Sequence, residues 1–204
     1  MDACLRERYI KVMATIAPVA AGRLTVQDYI DYPDDGNRYE LIDGELVMAP
    51  SPDFYHQRPS GRLMGFFQWY LEENPIGEVL HAPFDVYLGN HNALQPDLLY
   101  ISNENRGIIR GRAHGAPDLV VEILSPSNFR IDLGKKREIY QQFKVKEIWF
   151  IYPNERKLVA ERLSADGSQY EPALEFAEDA ILTTPLLPGF ELAVHRIFKA
   201  PGQG

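Results

Sequence analysis

The sequence predicts a single α/β domain with a mixed central β-sheet flanked by helices. Three observations predict this fold class: short apolar runs rich in β-branched residues, two segments with helical spacing of apolar residues, and turn motifs between them. The chain has 204 residues, 45 % of them apolar and 25 % charged, a balance typical of one globular domain with a substantial core.

The first predicted elements are a short helix and a β-hairpin. Residues 1–23 are expected to form a poorly ordered extension, and residues 24–204 the single domain. Thr25 and Asp28 have the spacing of a capping box, which predicts a helix over 24–31. Asp43-Gly44 is a strong two-residue turn signal, which predicts an N-terminal β-hairpin of Tyr39–Ile42 and Glu45–Met48.

Helices and strands then alternate along the chain. A long helix is predicted between Phe54 and Glu73, once Pro59 and Gly61 are passed, and a second from the N-cap Ser127 to about Phe143. Strands are predicted over 78–81, 84–88, 98–102, 118–124 and 147–152, followed by a hairpin of 157–163 and 169–174.

Four polar residues stand where this pattern predicts a core. Asp97 opens one apolar run and Glu122 interrupts another. Glu40 lies in the first hairpin strand, and Lys136 lies on the apolar face of the second long helix. Buried charges are costly unless they are paired or bound to a metal. Three carboxylates and a lysine that converge indicate a metal-dependent site for phosphodiester chemistry.

Each of these residues also has a simpler interpretation. Glu122 has apolar neighbours on both faces of its strand, which predicts a central strand, but a structural ion pair would equally explain it. Lys136 either reaches a polar pocket, with Asp132 one turn away as a partner, or extends to solvent at the helix edge. In the simpler interpretation, Asp97 is only a turn-forming residue that follows a proline. Asp118 resembles Asp97 in its setting but lies about 13 Å from Glu122 along the strand, too far to share one ion.

Composition limits the compartment and the partners. The single cysteine predicts a reducing, cytoplasmic location, and no apolar run is long enough to span a membrane. The net charge of −8 argues against simple tight binding to nucleic acid. The segment 106–146 nevertheless holds nine basic and four acidic residues, a net +5, which indicates either a substrate-binding surface or a solvated helix face with a basic loop.

Several stretches together resemble the Uma-type restriction endonuclease family of the PD-(D/E)XK nuclease superfamily, over roughly residues 24–198. They are 38–46, His56, 95–98, 117–127, 132–140, 145–149 and 187–190. The resemblance implies a restriction-endonuclease-like fold and an endonuclease that hydrolyses DNA with Mg²⁺ or Mn²⁺. The superfamily's usual lysine follows the acid by two residues, where this chain has Leu124. The family pattern places the lysine in the next helix instead, at Lys136.

The resemblance also implies roles for individual residues. Asp97, Glu122 and the backbone carbonyl of Ile123 would bind the metal, Lys136 would be the catalytic lysine, and Glu40 would complete the site. His56 would contact phosphate. The basic residues expected to contact the DNA backbone are Arg106, Arg110, Arg112 and Lys135. By analogy with restriction-type folds, the chain is expected to form a homodimer.

Three other functions compete with this one. A non-catalytic relative would bind nucleic acid or protein without cleaving anything. A phosphoesterase acting on a smaller nucleotide would suit the acidic surface better than long duplex DNA. A structural α/β protein with buried ion pairs would show no metal affinity.

Overall fold

The structure, a computed structural model, describes residues 22–49, 51–125 and 129–199. Its centre is a six-stranded sheet in the order β11-β10-β9-β8-β6-β3. The pair β8–β9 is parallel and the other neighbours are antiparallel, so the sheet is mixed, as predicted. Its strands are β3 (Gly77–His81), β6 (Leu98–Ser102), β8 (Leu119–Ile123), β9 (Glu147–Tyr152), β10 (Lys157–Arg162) and β11 (Leu174–Phe176).

A second sheet incorporates the predicted N-terminal hairpin. Its five strands follow the order β2-β1-β5-β4-β7. The turn residues Asp43 and Gly44 have φ angles of 55° and 80°, as a two-residue hairpin turn requires. The strands are β1 (Tyr39–Ile42), β2 (Glu45–Met48), β4 (Val86–Tyr87), β5 (Ala93–Leu94) and β7 (Ala113–His114). A third, two-stranded sheet pairs β12 (Ile181–Thr183) with β13 (Glu191–Ala193).

The first two helices begin at side-chain caps. Helix α1 (Val26–Ile30) starts with the predicted capping box of Thr25 and Asp28. Helix α2 (Phe54–Glu73) begins at its N-cap Asp53, so the prediction of a helix only after Pro59 and Gly61 was wrong. Proline fixes φ near the helical value although it cannot donate a hydrogen bond, and Pro59 is buried within α2.

The helical segment after β8 contains a wide turn. Helix α3 (Phe129–Ile131) leads into a π-helical turn over Asp132–Lys136 and then into α4 (Arg137–Gln142). The π turn changes the phase of the helix. Phe129, seven positions before Lys136, would share its face in a regular α-helix, but it is 46 % exposed while Lys136 is buried. The predicted N-cap Ser127 lies outside the described residues. A short helix, α5 (His195–Phe198), follows β13.

Strand β8 is buried on both faces, as the apolar pattern predicts. Val121 and Ile123 belong to one hydrophobic cluster, which includes Phe67 of α2 stacked on Trp149 at 5.5 Å between ring centroids. Val120 belongs to a second cluster on the opposite face. Glu122 alternates with these residues, so its side chain enters the second cluster.

Two predicted strands have different bounds. The predicted strand 84–88 is reduced to β4. The predicted strand 169–174 is replaced by β11, which pairs with β10 after an isolated bridge between Leu163 and Tyr170. Pro172 cannot donate a ladder hydrogen bond, which explains why pairing resumes only at Leu174. Within the described ranges, no helix has the length and apolarity needed to cross a membrane.

Candidate active site

Strand register brings Asp97 and Glu122 to the same place. The antiparallel pairing of β6 with β8 aligns Leu98 with Val121, so the preceding residue Asp97 comes opposite Glu122. The carboxylate of Asp97 also accepts a hydrogen bond from the backbone N–H of Ile123 at 2.6 Å. Two acids 25 positions apart in the sequence are therefore neighbours across one strand pair.

Lys136 lies among three carboxylates. Its Nζ is 3.0 Å from Glu40 Oε1, 3.3 Å from Asp132 Oδ1 and 3.4 Å from Glu122 Oε1. Lys136 is only 4 % exposed, so the alternative in which it extends to solvent is wrong. Burial opposes its charge, but the three carboxylates, with Glu122 foremost, outweigh burial and raise the pKa of Lys136 well above its usual range.

Among the three acids that the sequence predicts for the site, Glu122 is the most deeply buried. The hydroxyl of Tyr140 donates to its Oε1 at 2.5 Å. Burial raises the pKa of Glu122 well above its ordinary value, Lys136 lowers it, and the charges of Asp132, Asp97 and Glu40 raise it further. The site therefore holds more negative charge than Lys136 alone neutralises.

Asp132 belongs to the site, although the sequence marked it only as a partner of Lys136. It is fully buried. Burial, with the charges of Glu40 and Asp97, raises the pKa of Asp132 to about 6 against the opposing effect of Lys136. The i, i+4 spacing of Asp132 and Lys136 was the available signal, and the π turn between them places both inward.

His56 contacts Asp97, the acid that lies opposite Glu122. Its Nε2 lies 3.1 Å from Asp97 Oδ2. Burial works against protonation of the ring, but the hydrogen bond and the charge of Asp97 outweigh it and raise the pKa of His56. Helix α2 thus presents His56 to the site from the first turn after its N-cap.

Glu40 is fixed from two sides. Its Oε1 accepts a hydrogen bond from the backbone N–H of Gln95 at 2.6 Å in addition to the contact with Lys136. The side chain of Gln95 donates to Asp85 at 2.8 Å, and Arg112 Nε donates to the other oxygen of Asp85 at 2.9 Å. Arg112 is therefore connected to Glu40 through Asp85 and Gln95.

The carboxylates and the lysine of the site, with His56 and Gln95, line one cavity of about 330 Å³ that opens to solvent. Its wall includes polar residues of the hairpin, the start of α2 and the loop after β8. All five central side chains reach it: Glu40, Asp97, Glu122, Asp132 and Lys136.

Comparisons with known proteins identify the family and the fold of this chain. The model of the Uma2 family, described as "Putative restriction endonuclease", matches residues 26–195. The chain belongs to the Uma2 family. A crystal structure of "a putative nuclease belonging to DUF820" from Anabaena variabilis shares the fold, with a TM-score of 0.72 and 18 % sequence identity. The alignment covers 86 % of this chain and 97 % of that chain. No curated protein matches the sequence.

Membership in the Uma2 family raises the question of a bound metal. The donors are carboxylate oxygens, the ligands that Mg²⁺ and Mn²⁺ prefer. Burial foremost, and neighbouring carboxylates in addition, raise the pKa of Glu122 and of Asp132. The donor chemistry therefore fits a divalent cation. In the described part of the chain, however, no three His, Cys, Asp or Glu side chains are grouped closely enough to hold an ion. Lys136 occupies the space among three of them.

The basic residues predicted to bind the substrate of this Uma2 protein lie at different places in the fold. Lys135 pairs with Glu45 at the surface at 2.7 Å, and Arg106 pairs with Glu78 at 3.3 Å. Arg106 follows β6, at the end of the sheet remote from Glu122. Arg110 lies in the loop between Arg106 and Arg112, where its backbone N–H bonds the carbonyl of Arg112.

Asp118 lies apart from the site, as the strand spacing predicts. Its carboxylate is 2.6 Å from Lys146 Nζ and accepts hydrogen bonds from the backbone of Ser102 at 2.8 Å and from Asn105 at 3.2 Å. Burial favours its neutral form, but these donors together outweigh burial and lower the pKa of Asp118. Asp118 thus fixes the ends of two strands.

Proposed function

We propose that this protein is a metal-dependent endonuclease that hydrolyses DNA phosphodiester bonds. The observation that carries the proposal is the buried Lys136 among Glu40, Glu122 and Asp132, beside Asp97 and at a cavity open to solvent. The cavity gives a substrate access to these side chains. The family description and the printed title of the structural neighbour support the same activity.

Asp97, Glu122 and the backbone carbonyl of Ile123 would hold Mg²⁺ or Mn²⁺. The cation would supply a bound water of lowered pKa and neutralise the charge that develops on the phosphate. Nζ of Lys136 lies 3.4 Å from Oε1 of Glu122, so the cation would share this carboxylate with the ammonium group.

The other side chains act on the substrate and on one another. Lys136, held protonated by its neighbours, would stabilise the extra negative charge of the pentavalent phosphate. Glu40, itself fixed by Gln95, would hold the lysine in position. His56 would orient Asp97 through its Nε2 contact and could contact a substrate phosphate.

A phosphoesterase acting on a small nucleotide is the second candidate. The net charge of −8 and the limited volume of the cavity, about 330 Å³, favour it over a long duplex. Substrate length separates the two: an endonuclease cuts internal bonds of a closed circle, whereas this phosphoesterase would leave the circle intact.

The proposal is tested by incubating the protein with supercoiled plasmid, circular single-stranded DNA and nucleotides, each with Mg²⁺, Mn²⁺ or EDTA. We expect nicking or linearisation of circular DNA that requires the cation. Hydrolysis of nucleotides without any cut in circular DNA would favour the phosphoesterase, and no hydrolysis of any substrate would favour a non-catalytic binding protein.

A further inference from the structure

Helix α2 presents an unusual outer face. In a chain with 29 acidic residues, the 18 positions 54–71 contain none. Phe54, Arg58, Gly61, Gly65 and Trp69 follow one another at i, i+4, i+7, i+11 and i+15, which places them on one side of the helix. Phe54 is 63 % exposed and Trp69 is 69 % exposed, so large aromatic rings lie in solvent at both ends of this face.

Arginine side chains accompany these rings. The guanidinium of Arg58 lies 5.6 Å from the centroid of Phe54, and that of Arg196 lies 4.5 Å from Phe66. Nη2 of Arg58 is buried without a hydrogen-bond partner among the described residues. A guanidinium that covers one face of a ring leaves the opposite face for a base and its solvent-facing N–H groups for an anion.

A groove runs beside the second half of this face. It has a volume of about 600 Å³. Its wall holds Arg62, Arg196 and one acid, Glu191, so its charge is positive although the whole chain carries −8. Gly61 and Gly65 form part of the wall, and nothing lies within 4 Å of where their Cβ atoms would be. We call this region, with Phe54 and Arg58, the α2 groove.

We propose that the α2 groove binds a single strand of DNA that leads away from the candidate active site. Exposed aromatic rings stack on bases of any sequence, and arginines contact the backbone, which is the usual composition of single-strand sites. Asp53 and Gln57, the sequence neighbours of Phe54 and Arg58, line the cavity of the candidate active site, so the groove face begins beside that site. The inference rests on the proposed nuclease function and names single-stranded DNA as its substrate.

Geometry favours a flexible strand over a rigid duplex. Phe54 and Trp69 are 15 residues apart, about 22 Å along a helix at 1.5 Å per residue. Rings at both ends stack only on unpaired bases, because paired bases in a duplex present their edges and not their faces.

The test is fluorescence anisotropy with a labelled strand of about 20 thymidines and a labelled duplex of similar length, in EDTA. Binding is thereby measured without cleavage, so failure of this inference is distinguishable from failure of the nuclease proposal. The variants are Trp69→Ala and Phe54→Ala. Leu174→Ala is the control, because Leu174 is also exposed, at 42 %, on an edge strand elsewhere. Gly65→Leu fills the groove at a position with open space around Cβ.

We expect single-stranded DNA to bind more tightly than the duplex. Trp69→Ala and Phe54→Ala should each weaken the binding of single-stranded DNA by about fivefold or more, since stacking on one ring contributes about 1–3 kcal/mol per base. Gly65→Leu should weaken it as well, and Leu174→Ala should not. Wild-type affinity in all three groove variants, or no binding of the strand by wild type, would overturn the inference. So would a dimer in solution that Gly65→Leu converts to monomer, because the groove would then hold a second copy.

Discussion

Nζ of Lys136 lies 3.4 Å from Oε1 of Glu122, although 14 positions separate the two residues in the sequence. The position two residues after Glu122, where the superfamily usually has its lysine, is Leu124, and it packs in the core. The π turn over Asp132–Lys136 delivers the ammonium to the same carboxylate from a helix. A lysine therefore lies beside Glu122, although it does not come from the position two residues later in the sequence.

Replacement of Lys136 should destabilise the protein strongly. The substitution Lys136→Met removes the ammonium group that contacts the carboxylates of Glu40, Glu122 and Asp132. Breaking a buried ion pair from one side costs about 3–5 kcal/mol, so we expect a decrease of that size in the free energy of unfolding, measured with urea at pH 7. Lys135→Met is the matched control: its pair with Glu45 is exposed, and it should change stability by less than about 1 kcal/mol. Equal effects of the two variants would contradict the buried cluster.

Replacement of His56 should affect activity more than stability. The ring orients Asp97 by the 3.1 Å contact of its Nε2, and loss of a partner that orients a ligand typically lowers activity or metal affinity by about 10- to 100-fold. We expect a reduction of that size in the cleavage rate of His56→Ala, with a circular dichroism spectrum like that of wild type. His195→Ala, at the exposed start of α5, should cleave at the wild-type rate. Full activity of His56→Ala would remove His56 from the site.

Asp118 should matter for stability and not for cleavage. Its carboxylate receives donors from Lys146, Ser102 and Asn105, and hydrogen bonds to charged groups contribute about 1.5–3 kcal/mol. Asp118→Asn should lower the free energy of unfolding by about that amount at pH 7 while the cleavage rate is unchanged. Loss of cleavage in a folded Asp118→Asn protein would show that the two acid clusters are not separate.

The loss of unfolding free energy caused by Asp118→Asn should depend on pH in one direction. The folded-state pKa of Asp118 is below the usual value of 3.8, so its contribution is present above about pH 4 and is lost as pH falls through the folded-state pKa. The difference in unfolding free energy between wild type and Asp118→Asn should therefore shrink below about pH 4. A difference that grows with acidity would contradict the direction of this pKa shift.

Local patterns were sufficient to find the central residues. Glu122 interrupts a run whose two faces are both apolar, which identifies a buried strand and an acid that needs a partner. Lys136 shares a helix face with apolar residues, and the structure buries it as that spacing implied. The hairpin turn at Asp43-Gly44 and the capping box at Thr25 were readable because their signals span only a few residues.

Long-range arrangement was harder to predict. The π turn has no sequence signature, so the inward position of Asp132 and the exposure of Phe129 were missed. Nothing local marks Gln95 as the residue that fixes Glu40, because the contact spans 55 positions. The basic segment seemed continuous in sequence, yet its first arginine, Arg106, pairs with Glu78 away from the site.

Calorimetric titration of Mn²⁺ into wild type, Glu122→Gln and Glu45→Gln, followed by a plasmid cleavage assay of each, tests the central claim most directly. Glu122→Gln keeps an acceptor for the Tyr140 hydroxyl and removes the charge, whereas Glu45 is an exposed glutamate paired with Lys135. We predict that wild type and Glu45→Gln bind Mn²⁺ and cut DNA, and that Glu122→Gln does neither while remaining folded. Wild type that binds no Mn²⁺, or Glu122→Gln that binds and cuts like wild type, would contradict the account.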